Sequence, residues 1–319
     1  MNTTYVKEGR EFTQADPAEV SDFLGSRRLN HFEVAPDRLH VAHDGRGLLL
    51  HLSNGRLHEY PVRRSFLFKL LKWFSFPLSQ LHRLNIDTIS SILNDFLLDI
   101  RSGDVTVTVE NGEALTITSS AYTRLSDLDV IDICQPLGVA QVSRNDYFMR
   151  LYSRERARKN ISPGDDFGFG FNVLNSETGF RSLSVHHYLF RYLCSNGAMV
   201  RIGDHRDERT HYGVRPAELA GWLEQQVHRG EGSREALICS LEASRKQARM
   251  NNVEVVASRV TAVLGRKEGI QVIERLAEMT SAFDMFNHLT REAKQLDIGR
   301  RLQLESLAGD LLVGLTGTA

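Results

Sequence analysis

Residues 105–118 read VTVTVENGEALTIT, and no other stretch restricts the fold of this chain as tightly. Val and Thr alternate from 105 to 109, which sends successive side chains to opposite faces of a strand. Asn111-Gly112 follows, and the pair suits a type I′ turn because both central residues of that turn need positive φ. ALTIT then returns. An antiparallel sheet is therefore expected. Similar punctuation recurs upstream, where LHVAHD, Gly45-Arg46-Gly47, LLLHLS, Asn54-Gly55 and RLHEYPV read as a three-strand meander.

Helical periodicity fills the gaps. RRSFLFKLLKWF predicts one helix, and NIDTISSILNDFLLDI a second, with Ile86, Ile89, Leu93, Phe96 and Ile100 on one face. SDLDVIDICQPLG predicts a short helix capped by Ser126 or Asp127 and ended by Gly138. VAQVS, YFMRLYS, FGFGFNVLN and FRSLSVHH are strand-like, with residues 176–179 as a hairpin loop. YLFRYLCSNG reads either as extended chain or as a helix stopped at Asn196-Gly197. From about Pro216 the pattern turns helical, with shared faces at Val253, Val256, Val260, Val263 and Leu264, at Ala282, Phe286, Leu289 and Ala293, and at Leu304, Leu307, Ala308, Leu311 and Leu312. The expected fold is α+β, an antiparallel β-hairpin sheet flanked by helices with a helical C-terminal third. The expected organisation is a β-meander region over 1–75, a mixed core over 76–215 and helices packed on that core over 216–319.

A formal net charge of −1 across 319 residues excludes a protein that coats nucleic acid with its whole surface. Any such contact needs a local basic patch. MNTTYVKEGREFTQ lacks the apolar segment of a signal peptide. SFLFKLLKWFSFPL is broken by Lys69, Lys72 and Pro77 and is too short to span a bilayer. Cys134, Cys194 and Cys239 are far apart, form no CxxC pair and read as reduced thiols, so a cytoplasmic protein without a membrane partner is expected.

The common reaction signatures are missing. There is no GxxxxGK[ST], no GxGxxG ahead of a helix and no GxSxG, so no catalytic residue and no cofactor is assigned. His40, His43, His51 and His58 fall on neighbouring strands, but zinc needs several convergent ligands, and i, i+3 positions of a strand face opposite ways. No metal site is expected there. Asp165, Asp166 and Glu155 would be the carboxylates of a metal-dependent nuclease, yet no lysine follows at short spacing and Pro163-Gly164 marks a loop. They read as turn acids.

Basic residues say more. RLYSRERARK sets Arg150, Arg154, Arg156, Arg158 and Lys159 against one acid, a density that phosphate contacts require and that a solvated strand end also shows. Arg63, Arg64, Lys69 and Lys72, interleaved with Phe66, Phe68, Trp73 and Phe74, form a second candidate, which also fits an amphipathic core helix. Phe167, Phe169 and Phe171 alternate on one strand, as Tyr188, Phe190 and Tyr192 do on the next. Such rows either pack a core or stack unpaired bases.

The segment FNVLNSETGFRSLSVHHYLFRYLCSNGAMV resembles the hallmark of a bacterial, plasmid and phage family called domain of unknown function 932. The resemblance rests on Asn175, Ser176, Gly179, Arg191, Cys194, Asn196 and Gly197, with Glu177-Thr178 standing where that family often has His-Asp. Ser119, Tyr122, Leu125 and Asp127 match a second segment, and Asp284, Asn287, Thr290 and Gly309 a third. The likeness covers roughly residues 76–315 and brings no established catalytic residues. It implies an association with mobile elements; with the basic clusters, the expected function is a non-enzymatic mobile-element protein that contacts DNA, single-stranded in particular, in replication, recombination or annealing. The alternatives are a factor that binds a host or phage defence protein and, third, the nuclease. A homo-oligomer stays open. Read from the residues alone, Asn175, Ser176 and Gly179 build a hairpin loop, and Asn196-Gly197 ends the next element.

Overall fold

A computed structural model describes residues 5–101, 103–153, 159–162, 165–191, 196–199, 208–229, 239, 242–243, 253–279 and 281–314. The hairpin at 105–118 forms as its sequence dictates. Strands β6 (Val105–Glu110) and β7 (Glu113–Ser119) pair antiparallel, and Asn111 and Gly112 take φ of 51° and 82°. Strand β2 (Leu29–Val34) completes this three-stranded sheet on the far side of β6. The expected meander is a second three-stranded sheet, β3 (Leu39–His43), β4 (Leu48–Ser53) and β5 (Leu57–Pro61).

The third sheet is larger. Its eight strands run β1 (Phe12–Ala15), β8 (Val139–Arg144), β9 (Met149–Ser153), β11 (Asp165–Asn175), β12 (Leu183–Arg191) and β13 (Asn196–Met199), with β10 (Lys159–Ser162) beside β11 and β14 (Glu208–Arg209) beside β12. Every ladder between named strands is antiparallel. The stretch YLFR is strand, continuing β12. Asn196-Gly197 opens the return strand β13 opposite Arg191 and Phe190, so it begins an element where a stop was expected. The first 75 residues also reach beyond the meander, since β1 edges the large sheet and β2 pairs with β6.

Helices cover these sheets. α2 (Arg64–Trp73) and α3 (Ile86–Asp99) bury Phe66, Leu67, Leu70, Leu71, Ile89, Leu93 and Leu97 against the two small sheets in one continuous core. α1 (Pro17–Ser26), α4 (Asp127–Cys134) and α5 (Pro216–Arg229) cover one face of the large sheet, meeting Val142, Leu151, Phe171, Val173 and Val185. Ser126 caps α4 by accepting from the Asp129 amide, and Gly138 closes the segment in the left-handed region. Four C-terminal helices, α6 (Val253–Leu264), α7 (Arg266–Ala277), α8 (Ala282–Ala293) and α9 (Ile298–Gly314), share a core of their own. Ile298 and Leu302 of α9 then meet Phe148 and Leu174 on the sheet's other face. The fold is α+β with a helical C-terminal region. No helix among the described residues is long and apolar enough to cross a membrane.

Candidate functional site

The loop from Asn175 to Gly179 leaves the end of β11 and is buried almost throughout. Each of its residues reaches a different part of the chain. Asn175 donates from its amide to the Leu125 carbonyl and to Asp127, both at 2.9 Å. Ser176 donates to the Tyr147 carbonyl at 2.6 Å, and Tyr122 donates its phenol to the Ser176 carbonyl. Thr178 donates to the Asp146 carbonyl at 2.9 Å. Gly179 adopts φ +76° and accepts from the Lys69 ammonium. The loop is a clasp that fastens the large sheet to α2, α4 and the β6–β7 hairpin.

Glu177 is its centre. Its carboxylate accepts two bonds from Arg27, at 2.8 and 3.1 Å, one from Arg124 at 3.1 Å and one from the Asp127 amide at 2.6 Å. Burial pushes this carboxyl upward, but the Arg27 hydrogen bonds and the charges of Arg124, Arg27 and Arg144 outweigh it and hold it at about 2. Beside it, burial and the Glu177 charge raise Asp127 to about 6, against the pull of Arg144 and Asn175. The network continues through Glu110 to Arg63, which also holds Glu113 and Asp146. Glu110, Glu113, Asp127, Asp146 and Glu177 thus face Lys7, Arg27, Arg63, Arg124 and Arg144. Five charges of each sign balance one another, with Lys7 at the surface end, so this network holds elements together and leaves no net charge for a ligand.

Two residues expected to contact phosphate are committed here or nearby. Arg63 is buried among Glu110, Glu113 and Asp146. Arg150 is 1% exposed, donates to Glu305 of α9 at 2.5 Å and lies over the Tyr152 ring. Neither reaches a strand of nucleic acid, because moving a paired guanidinium to the surface strands its carboxylate in the core. Arg64 is half-buried and pairs with Glu8. Arg154, Arg156, Arg158 and Cys194 lie outside the described residues, as do the side chains of Lys159, Arg191 and Asn196.

Lys69 and Lys72 behave differently. The apolar face of α2 turns Phe66, Leu67, Leu70 and Leu71 inward, which leaves 69, 72 and 73 as neighbours on the other stripe. Lys69, Lys72 and Trp73 line a cleft of about 220 Å³ with Thr118, Ser119, Gly179 and Tyr212. Both ammonium groups lie over the Phe180 ring, at 5.2 and 5.9 Å from its centroid. Burial, then the like charge of Lys72, brings Lys69 down to about 8. Among the described residues no carboxylate is paired with either lysine. Tyr212, at 50% exposure, stands edge-on to Tyr122, which stacks on His211. The cleft therefore joins two unneutralised cations to exposed aromatic surface. The sequence places Lys69, Lys72 and Trp73 together; Tyr212 and Phe180 come from distant segments and carry no local signal.

The remaining candidates have ordinary surroundings. His40 and His51 face each other across β3 and β4, but His51 bonds Glu59 at 3.0 Å and His43 meets Asp87 at 2.9 Å. No group of three metal-ligating side chains occurs among the described residues. Phe171 packs in the core of the large sheet, while Tyr192 lies outside the described residues. Burial pushes the Cys134 thiol up to about 12, far from a reactive thiolate. No family model matches the chain, and neither curated proteins nor solved structures include a significant match.

Proposed function

We propose that this chain is a non-enzymatic protein that contacts single-stranded DNA, with the Lys69–Lys72 cleft as its phosphate anchor. The observation that carries the reading is the pair of lysines without a carboxylate partner, in a protein whose buried arginines are matched by acids. Two adjacent ammonium groups repel, and one of them is half-buried. An anion between them relieves both penalties at once. Trp73 and Tyr212 add the flat apolar faces on which unpaired bases stack without regard to sequence. The resemblance of residues 76–315 to a phage and plasmid family supports a setting in replication, recombination or annealing of a mobile element.

The test is fluorescence anisotropy of a labelled oligodeoxythymidylate at about 50 mM salt, where phosphate contacts are strong. The wild-type chain should bind, and Lys72→Ala, at an exposed position, should weaken binding without lowering the melting temperature. Wild-type protein with no affinity for single- or double-stranded DNA at that salt rejects the proposal, and a protein partner then becomes the better reading.

A further inference from the structure

A second and wider cleft, about 580 Å³, lies between the large sheet and helices α6 and α9. Ser184 and His186 form part of its floor, two residues apart on β12 and therefore on one face of the sheet. Leu174, registered against Ser184, continues that floor on β11. Gln303 and Ser306, one turn apart on α9, face them from the helix layer. Arg181, Ser182, Glu208 and Arg259 add polar and charged lining, and Val263, Leu302 and Leu307 together with the Phe180 ring supply its apolar part.

Charge narrows the ligand class. Arg259 at this cleft bonds Asp310 at 2.6 Å, and Arg181 lies under the influence of Glu208, so the cations are offset and the site is no phosphate trap. One polar group also lacks a partner. Asn172 is 0% exposed, and neither its amide oxygen nor its amide nitrogen is hydrogen-bonded. Asn172 sits two residues before Leu174 and directly opposite His186, which places its side chain on the cleft side of the sheet. Buried amides are almost always satisfied, and one that is not points to a ligand that satisfies it. A carboxamide, serine hydroxyls and an imidazole line the cleft together with the Phe180 ring, and the Asn172 amide lies on the same sheet face beneath that floor, a set that matches a planar heterocycle with donors and acceptors on its rim.

We propose that this cleft is a nucleobase site. The base comes either from a free nucleoside or from an unstacked position of a strand whose phosphates rest on Lys69 and Lys72. The second source rests on the function proposed above; the first does not. Phe180 makes the second source geometrically direct, because its ring carries both lysines on the smaller cleft and walls the larger one. Unpaired bases are read by stacking on aromatic rings and by hydrogen bonds along their edges, and both elements are present.

The experiment has two arms on the full-length protein. Saturation-transfer NMR with adenosine, guanosine, cytidine and uridine tests the free source. Anisotropy with oligodeoxythymidylate against an abasic strand of equal length tests the tethered one. Binding of a nucleoside, or a preference of about tenfold for the base-bearing strand, is the expected result. Ser306→Trp, which fills the slot, should abolish whichever signal is seen, while Lys72→Ala should weaken both strands and keep their ratio. If Ser306→Trp fails to fold, Gln303→Ala at an exposed position of α9 replaces it, with an expected loss of about fivefold. A nucleoside that binds when no strand does removes the DNA reading and leaves this one standing. The proposal is overturned if no nucleoside binds and abasic and base-bearing strands behave alike, or if the signal survives both cleft variants.

Discussion

At Gly179, two constraints meet on one Cα. The backbone holds φ at +76°, and a Cβ there would lie 2.8 Å from the Lys69 ammonium nitrogen and 3.3 Å from the Thr118 methyl. A β-branched residue meets both penalties, the left-handed strain and the collision. Gly179→Val should lower stability by about 1–3 kcal/mol, read as a fall in melting temperature; an unchanged melting curve contradicts the clasp. Glu177 supplies the sharper case. Removing its charge leaves Arg27 and Arg124 facing a neutral group in a buried pocket. Glu177→Gln keeps the shape and should still cost about 3–5 kcal/mol in urea denaturation. A loss below about 1 kcal/mol means that water reaches those guanidiniums. The acid limb needs its sign stated. The folded Glu177 lies below the usual 4.5 at about 2, so its contribution is present above pH 4.5 and fades as pH falls toward 2. Asp127 is shifted the other way, to about 6, so its ionisation weakens the fold as pH rises from 3.8 toward 6. The two act in adjoining windows, so the pair's contribution rises from pH 2, is greatest near pH 4 and declines toward pH 6.

Strand β9 shows why some elements were legible in the sequence and others were not. YFMRLYS alternates, and Met149 and Leu151 meet the core under α1, α4 and α5 as the period-2 pattern requires. The other face carries Arg150 and Tyr152, which reads as a solvated face until α9 lies over it and brings Glu305. A sheet covered on both sides by distant helices gives one strand two interiors, and a pattern confined to a few residues cannot reveal the second. The β6–β7 hairpin, the apolar faces of α3 and α8 and the Ser126 cap were readable for the opposite reason: their causes lie within a few residues of each other. The ion network was hidden because Arg27 and Glu177 are 150 residues apart. Lys69 and Lys72 fell between the extremes, since the helix pairs them but the aromatic walls arrive from elsewhere. The covering of β9 by α9 makes a prediction at this scale. A fragment ending at Gly232 loses Glu305, Ile298 and Leu302, which uncovers Phe148 and Leu174 and takes the acid from Arg150. It should precipitate or bind a hydrophobic dye strongly; a soluble fragment with a cooperative melt shows that the C-terminal helices are dispensable to the sheet.

For the whole molecule, a net charge of −1 makes long-range attraction to DNA negligible, so the DNA contact proposed above has to rely on local cations. Two observables isolate them. The first is pH. An anion bound at Lys69 favours the protonated amine, so affinity is full below about 8 and falls as pH rises through that value, by up to about tenfold per unit. An ordinary lysine shows no such fall until well above pH 9, and Lys69→Arg, which stays charged, should flatten the profile. The second observable is salt. Each phosphate neutralised on a single strand contributes about −0.7 to the slope of log affinity against log salt. Lys72→Ala should therefore flatten the slope by about 0.7 if that side chain touches one phosphate. Arg154, Arg156 and Arg158 lie outside the described residues, and their density in the sequence makes them the second candidate in the proposed contact. Replacing all three by Ala should flatten it by about two units if each makes a contact, with stability changed by about half a kcal/mol or less. The two variants then read different parts of one path: if the strand runs from the lysine cleft to the arginine segment, their losses add, because separate phosphates release separate counterions. A slope left unchanged by the triple variant confines the DNA to the cleft, and a slope unchanged by Lys72→Ala removes the cleft from the path.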